Sequence, residues 1–291
     1  MKLDYNIKLE IETITKSSIK SIESVSGGCI SDAYKLQINS GDIFFLKLNK
    51  NNPNDMFKKE AHGLNEIYKT NTARVPQVLH FNDSFILTEY IKQVNKSINF
   101  YEDFGRIFAE MHKYTNSTFG FYENNFIGSN VQDNIPNASE KQNWTKFYFN
   151  KRILFQYKLA EKNGFSTKNL ASKIILLENK IEKILSGSEE KPSLLHGDLW
   201  SGNYIVDEKG NACLIDPAVY YGHREADLAM TKLFGGFNHD FYSAYHEYFP
   251  LQPGHEYREN IYKLYHVLNH LNLFGRGYYS QANSLIDFYL N

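Results

Sequence analysis

Apolar residues recur with a short period over the first ninety positions and with a longer one thereafter. Ala33-Tyr34-Lys35-Leu36-Gln37-Ile38 alternates, Asn39-Ser40-Gly41-Asp42 interrupts, and Ile43-Phe44-Phe45-Leu46-Lys47-Leu48 resumes, which predicts two strands joined by a turn. Upstream, Ile19, Ile22 and Val25 are spaced by three, a spacing that also suits a helix face. The break at Gly27-Gly28 and the alternation that follows favour a strand. Residues 55–70 carry helical spacing, and Phe85-Ile86-Leu87-Thr88-Glu89-Tyr90-Ile91 is strand-like again. From about residue 99 the period becomes helical, with Phe100, Phe104, Ile107, Phe108 and Met111 on one stripe. Further helices are predicted near 143–162, 168–186, 224–235, 239–248, 256–274 and 280–290. One hairpin interrupts them, with Tyr204-Ile205-Val206 and Ala212-Cys213-Leu214-Ile215 flanking Asp207-Glu208-Lys209-Gly210-Asn211.

This order predicts an α+β chain of two lobes. Residues 1–91 form a small β-rich N-terminal lobe with one helix, and residues 92–291 form a larger, mainly helical lobe. No internal repeat and no Gly/Ser/Pro-rich linker separates them, so a short hinge around Glu89 to Lys92 is expected.

The hairpin gives that architecture a chemistry. Leu195-His196-Gly197-Asp198-Leu199-Trp200-Ser201-Gly202-Asn203 places an aspartate and an asparagine five residues apart, and Asp216 follows thirteen residues later at the end of an apolar run. That spacing matches a kinase catalytic loop, in which the Asp accepts the proton of the attacking hydroxyl and the Asn and the second Asp hold magnesium. The hairpin would bring Asn203 and Asp216 to one end of two antiparallel strands. Asn203 and Asp216 offer the hard oxygen ligands that Mg²⁺ prefers. Lys47 would direct its ammonium at the α- and β-phosphates of ATP, although a lysine ending a strand can also be merely solvated. Its partner is expected on the following helix, where Glu60 shares the stripe of Phe57, Leu64 and Ile67 while Glu66 faces away. Gly27, Gly28 and Cys29 would cover the phosphates with backbone N–H groups. Glu89, Tyr90 and Ile91 would meet the adenine with backbone groups, or else form an ordinary strand exit. Arg224-Glu225-Ala226-Asp227 resembles a signature of small-molecule kinases in which the Asp braces the catalytic loop, which that resemblance implies for Asp227, although an ordinary charge at a helix N-terminus would look the same. Similarity to the kinase-like fold implies that His196 packs beneath that loop, and His112 and His270 are expected to sit on helical faces as core or interface residues.

Five stretches resemble the fructosamine (ketosamine) 3-kinase family, relatives of the aminoglycoside phosphotransferases within the protein-kinase-like fold. They are Gly27-Gly28-Cys29-Ile30-Ser31, Tyr122-Glu123-Asn124-Asn125-Phe126-Ile127-Gly128, His196 to Asn203, Asp216-Pro217-Ala218-Val219-Tyr220-Tyr221-Gly222-His223-Arg224-Glu225, and Leu271-Asn272-Leu273-Phe274-Gly275-Arg276-Gly277-Tyr278. The resemblance runs over nearly the whole chain. It implies ATP-dependent phosphorylation of the 3-hydroxyl of a ketosamine, be it a ribulosamine, an erythrulosamine or a fructosamine. The phosphorylated adduct then breaks down and frees the amine, which amounts to deglycation and protein repair. The substrate side is less defined. The Trp200 ring could stack on a sugar or wedge the loop, Asn125, Gln132 and Asn134 could meet hydroxyls, and His223, Arg224 and Glu225 could line the acceptor site.

Composition narrows the alternatives. The 291 residues carry a formal net charge of −1, which gives no electrostatic case for nucleic acid or an anionic membrane as partner. No run approaches a transmembrane span, and the two cysteines, Cys29 and Cys213, form neither a disulfide framework nor a metal-ligand pattern, so a reduced cytoplasmic compartment is the default expectation; the chain is expected as a monomer or a homodimer. Kinases of aminoglycosides or choline are the rival enzymes. A polycationic acceptor calls for an acid cluster, yet beyond residue 216 seven Asp/Glu stand against five Lys/Arg. An inactive kinase-like binding module is the remaining alternative, and the presence of Lys47, Asp198, Asn203 and Asp216 argues against it. Cys29, in the phosphate-covering loop, is expected to be the more reactive thiol.

Overall fold

The computed structural model describes residues 3–25, 32–49, 53 and 55–291. Gly27, Gly28 and Cys29 lie outside them. In chain order the elements are α1 (Tyr5–Thr15), β1 (Ile19–Ser24), β2 (Asp32–Ile38), β3 (Ile43–Leu48), α2 (Met56–Lys69), β4 (Val78–Phe81), β5 (Phe85–Glu89), α3 (Phe100–His112), β6 (Asn125–Ile127), β7 (Asn130–Gln132) and α4 (Trp144–Tyr148). A π-helical turn (Phe149–Leu154) leads into α5 (Phe155–Lys162), followed by α6 (Lys168–Glu178), α7 (Ile181–Leu185), β8 (Ser193–Leu195), β9 (Tyr204–Val206), β10 (Ala212–Leu214), β11 (Tyr220–Gly222), α8 (Glu225–Thr231), α9 (His239–Tyr248), α10 (His255–Phe274) and α11 (Tyr279–Leu290). The chain divides into two compact units, residues 1–98 with 205–216, and residues 99–204 with 217–291. The hairpin of β9 and β10 thus belongs almost wholly to the first unit, as do residues 92–98.

The first unit is built on an antiparallel sheet in the order β1-β2-β3-β5-β4. Strand alternation gives the sheet two faces. Tyr34, Leu36, Ile38, Leu46, Phe85 and Leu87 pack with Ile11 of α1, while Ile86 packs with Phe57 and Ala61 of α2. Helix α1 is an addition to the one helix expected in this lobe. Asp4 caps it by accepting from the backbone N–H groups of Asn6 and Ile7, and Ile7, Ile11 and Ile14 turn one face to the sheet.

In the second unit the predicted aromatic stripe of α3 meets α9. Phe104 and Phe108 lie against Phe241 with ring centroids 5.1 and 5.8 Å apart. Gly105 lets the two backbones close, because a β-carbon there would stand 2.2 Å from the Phe241 carbonyl oxygen. The long predicted helices at 143–162 and 168–186 are each broken, the first by the π-helical turn and the second between α6 and α7. No helix among the described residues is long and apolar enough to cross a membrane.

Candidate active site

Alternation along β3 decides where Lys47 points. Leu46 enters the α1 face, so Lys47 emerges on the α2 face beside Ile86 of β5. There its ammonium donates to Glu60 Oε1 at 2.7 Å, the pairing that the helix-face argument expects, whereas Glu66 accepts from Lys69 at 3.0 Å. The same ammonium also bonds Asp216 Oδ1. Burial alone would lower the lysine pKa, but Asp216 and Glu60 together hold it above its ordinary value. One cation between two carboxylates leaves an excess of negative charge. Burial and the Asp216 charge accordingly push the Glu60 carboxyl up against the pull of Lys47. Asp216 itself adopts φ 53°, a left-handed conformation uncommon outside glycine, and its side chain is 43% exposed.

Arg74 was not singled out by its sequence, and it organises this unit. Its guanidinium bonds Glu89 at 2.8 Å, Asp207 at 2.8 Å and Glu208 at 2.7 Å, and its carbonyl accepts from the Leu214 N–H at 2.8 Å. One side chain therefore ties the candidate adenine hinge to the hairpin that ends at Asp216. Beyond Glu89, Ile91 is buried and Tyr90 lies under the Lys35 ammonium, 5.6 Å from the ring centroid.

In the helical unit, β8 delivers the loop that carries Asp198. Gly197 has φ +84°, and a β-carbon on it would lie 2.0 Å from the Ala218 carbonyl oxygen, so only glycine fits. The Asp227 carboxylate accepts from the backbone N–H groups of His196 at 2.6 Å and Gly197 at 2.8 Å. Burial raises the Asp227 carboxyl, but His112, His196 and the Gly197 N–H outweigh it and hold the group below its usual range. Asn203 donates its side-chain nitrogen to the Asp198 carbonyl at 2.8 Å and to Asp198 Oδ2 at 3.2 Å. With the nitrogen engaged, the Asn203 oxygen is the atom left to meet a cation, which suits a magnesium ligand. Among the described residues no group of three or more His, Cys, Asp and Glu side chains could hold a metal. Mg²⁺ commonly completes its shell with phosphate and water, so it needs few protein oxygens.

Trp200 is half-buried. Its ring covers Gly202, where a β-carbon would stand 2.5 Å away, and meets Phe234 edge-on at 5.9 Å.

The other residues expected on the substrate side are buried and hydrogen-bonded within the helical unit. His223 is 1% exposed, with Nε2 on the Ser188 carbonyl at 2.5 Å and Nδ1 accepting from the Glu225 N–H at 3.3 Å. Glu225 is 4% exposed and takes the Arg258 guanidinium on both oxygens at 2.6 and 2.8 Å. Arg224 is spent on Glu190 and on the carbonyls of Phe249 and Pro250. Asn125, Gln132 and Asn134 are buried as well. Asn125 donates to the Val219 carbonyl, Gln132 to the Ala218 carbonyl and Asn125, and Asn134 to Asn125. These amides fix the segment that leads into β11. A cavity of about 510 Å³ lies among α8, α9 and α10, and Glu225 alone of the expected site residues lines it.

The family model for fructosamine kinase matches residues 3–291. A protein-ribulosamine 3-kinase, chloroplastic, of Oryza sativa subsp. indica is 41% identical over 281 residues, covering 94% of this chain and 80% of that protein. A crystal structure assigned as a fructosamine-3-kinase, from Thermobifida fusca YX-ER1, superposes with a TM-score of 0.86 at 28% identity, covering 98% of each chain. An aminoglycoside phosphotransferase in a ternary complex with streptomycin and ATP shares the fold alone, with a TM-score of 0.61 at 16% identity over 98% of this chain and 96% of its own. The chain belongs to the fructosamine kinase family.

Proposed function

We propose that this protein transfers the γ-phosphoryl group of ATP to the 3-hydroxyl of a ketosamine. The observation that carries the reading is the 41% identity over 94% of the chain to a protein-ribulosamine 3-kinase. The hydrogen-bonded loop around Asp198 supports it. Asp198 takes the proton of the 3-hydroxyl as that oxygen bonds the γ-phosphorus and the bond to the β,γ-bridging oxygen breaks. Lys47, held by Glu60, neutralises charge on the α- and β-phosphates, and the backbone of Glu89 to Ile91 receives the adenine. Gly27, Gly28 and Cys29 cover the phosphates. Asn203 and Asp216 would hold magnesium through side-chain oxygens, and the ion would neutralise phosphate charge. Trp200, half-buried, borders the acceptor. The product is a 3-phosphorylated ketosamine whose breakdown frees the amine. The cytoplasmic placement rests on composition.

ATP consumption measured with a ribulosamine, an erythrulosamine, a fructosamine, choline and an aminoglycoside tests this reading, with ³¹P NMR locating the phosphate. Turnover is expected with one or more ketosamines, at the 3-oxygen. Turnover confined to choline or the aminoglycoside would overturn the proposal.

A further inference from the structure

A chain of buried polar side chains in the helical unit ends on the catalytic loop, and its hydrogen-bond direction is fixed by chemistry. Arg224 donates to both oxygens of Glu190 at 2.8 and 2.7 Å, and its Nη1 stands 3.5 Å from the Tyr245 hydroxyl. A guanidinium has only donors, so the Tyr245 oxygen accepts and its proton is free to go to His112 Nδ1, 2.7 Å away. An accepting Nδ1 places the imidazole proton on Nε2, which faces Asp227 Oδ2 at 3.2 Å. Burial lowers the His112 pKa, in keeping with a neutral ring carrying that one proton. Asp227 Oδ2 is also the oxygen that receives the His196 N–H, while Oδ1 receives that of Gly197. His112 therefore sets the rotation of the very carboxylate that clamps two consecutive amides before Asp198.

We propose that His112 and Tyr245 are positioning residues for phosphoryl transfer, holding Asp198 in register through the Asp227 carboxylate. The inference rests on reading Asp198 as the base. Neither residue touches substrate in this account. Without the Nε2–H donor, the Asp227 carboxylate can turn about its own bond and the His196–Gly197 peptide can shift with it. A misplacement of about 1 Å in a reacting group costs on the order of 10²-fold in rate.

The ring of His112 also packs on Phe108, with centroids 4.2 Å apart, so the test must separate packing from hydrogen bonding. His112→Phe keeps a ring and removes both polar atoms, whereas His112→Gln restores a donor and an acceptor. For His112→Phe we expect kcat to fall about 10²-fold with KM for Mg·ATP little changed, and amide exchange at His196 and Gly197 to accelerate. His112→Gln should recover most of the rate and slow the exchange again. Tyr245→Phe removes one hydroxyl, should lower kcat about tenfold, and carries the test if His112→Phe does not fold. A folded His112→Phe protein with wild-type kcat, or unchanged exchange at both amides in the folded variants, would overturn the proposal. So would a loss that His112→Gln fails to repair. Because amide exchange needs no acceptor, it reads the clamp even if no ketosamine is phosphorylated, a result that would count against the proposed function alone.

Discussion

Asn203 holds Asp198 at two points, donating one side-chain nitrogen to its carbonyl at 2.8 Å and to its carboxylate at 3.2 Å. The carboxylate is thereby oriented without being neutralised. Asp198→Asn keeps the size of the side chain and removes its basicity. We expect kcat to fall about 10²–10⁴-fold, with Mg·ATP binding by calorimetry retained. Near wild-type turnover in this variant would remove Asp198 from the chemistry.

Lys47 and Glu60 should behave as one unit. Each is the other's partner at 2.7 Å and both side chains are only 16% exposed, so removing Lys47 strips Glu60 of its counter-ion and removing Glu60 leaves Lys47 to Asp216 alone. The losses for Lys47→Ala and Glu60→Ala are expected to be large and non-additive in the double variant. Steady-state kinetics of the cycle decide the point, and a double defect equal to the sum of the singles would show two independent roles.

Gly197→Ala should be damaging out of proportion to one methyl group. The new carbon would meet the Ala218 carbonyl oxygen at 2.0 Å on a backbone with φ +84°, and the left-handed conformation alone costs about 1–3 kcal/mol for a non-glycine residue. A lowered melting temperature and lost turnover are expected together. Retention of both would mean that the loop has another way to pass Ala218.

His266 gives stability a pH dependence of known sign. Burial, with His270 beside it, holds its pKa down to about 3. Its Nδ1 lacks a hydrogen-bond partner. The folded state therefore binds the proton less readily than the unfolded chain, so the stabilisation is complete above the unfolded pKa of about 6.5 and is lost as pH falls through it toward the folded value. At pH near 5 the loss amounts to about 2 kcal/mol. Urea midpoints between neutral and acid pH should fall less steeply for His266→Phe. An unchanged slope would show that His266 is not the group responsible. Burial likewise lowers His112 and His270, so part of the slope remains.

The two thiols should differ. Cys213 is fully buried in β10 and burial pushes its pKa up to about 12, so it stays protonated and unreactive at neutral pH. Cys29 is expected to take a thiol reagent first, with loss of activity and protection by ATP. Mass spectrometry of the partly labelled protein checks the order, and modification of Cys213 before Cys29 would reverse it.

The linear pattern by itself determined what depends on short-range periodicity. Alternation along Ile43 to Leu48 puts Leu46 and Lys47 on opposite faces, and the spacing of Phe57, Glu60, Leu64 and Ile67 turns Glu60 to the same side as the lysine. The interval between Asp198 and Asn203 is short enough for one loop to join them directly. Helix α1 was equally legible in Asp4 and in Ile7, Ile11 and Ile14, although the strand reading of this lobe passes over it. Tertiary structure decided the partners of the buried polar groups. Gln132 reaches the Ala218 carbonyl across 86 residues, Arg258 reaches Glu225 across 33, and Arg74 reaches Asp207 across 133. Periodicity states which face a side chain occupies. A polar group taken out of water must also find a donor or acceptor there, and which one it finds depends on elements brought together only by the fold. That is why the buried hydrogen bonds of Asn125, Gln132, Asn134, His223 and Glu225, which help hold the helical unit in shape, could not be read along the chain.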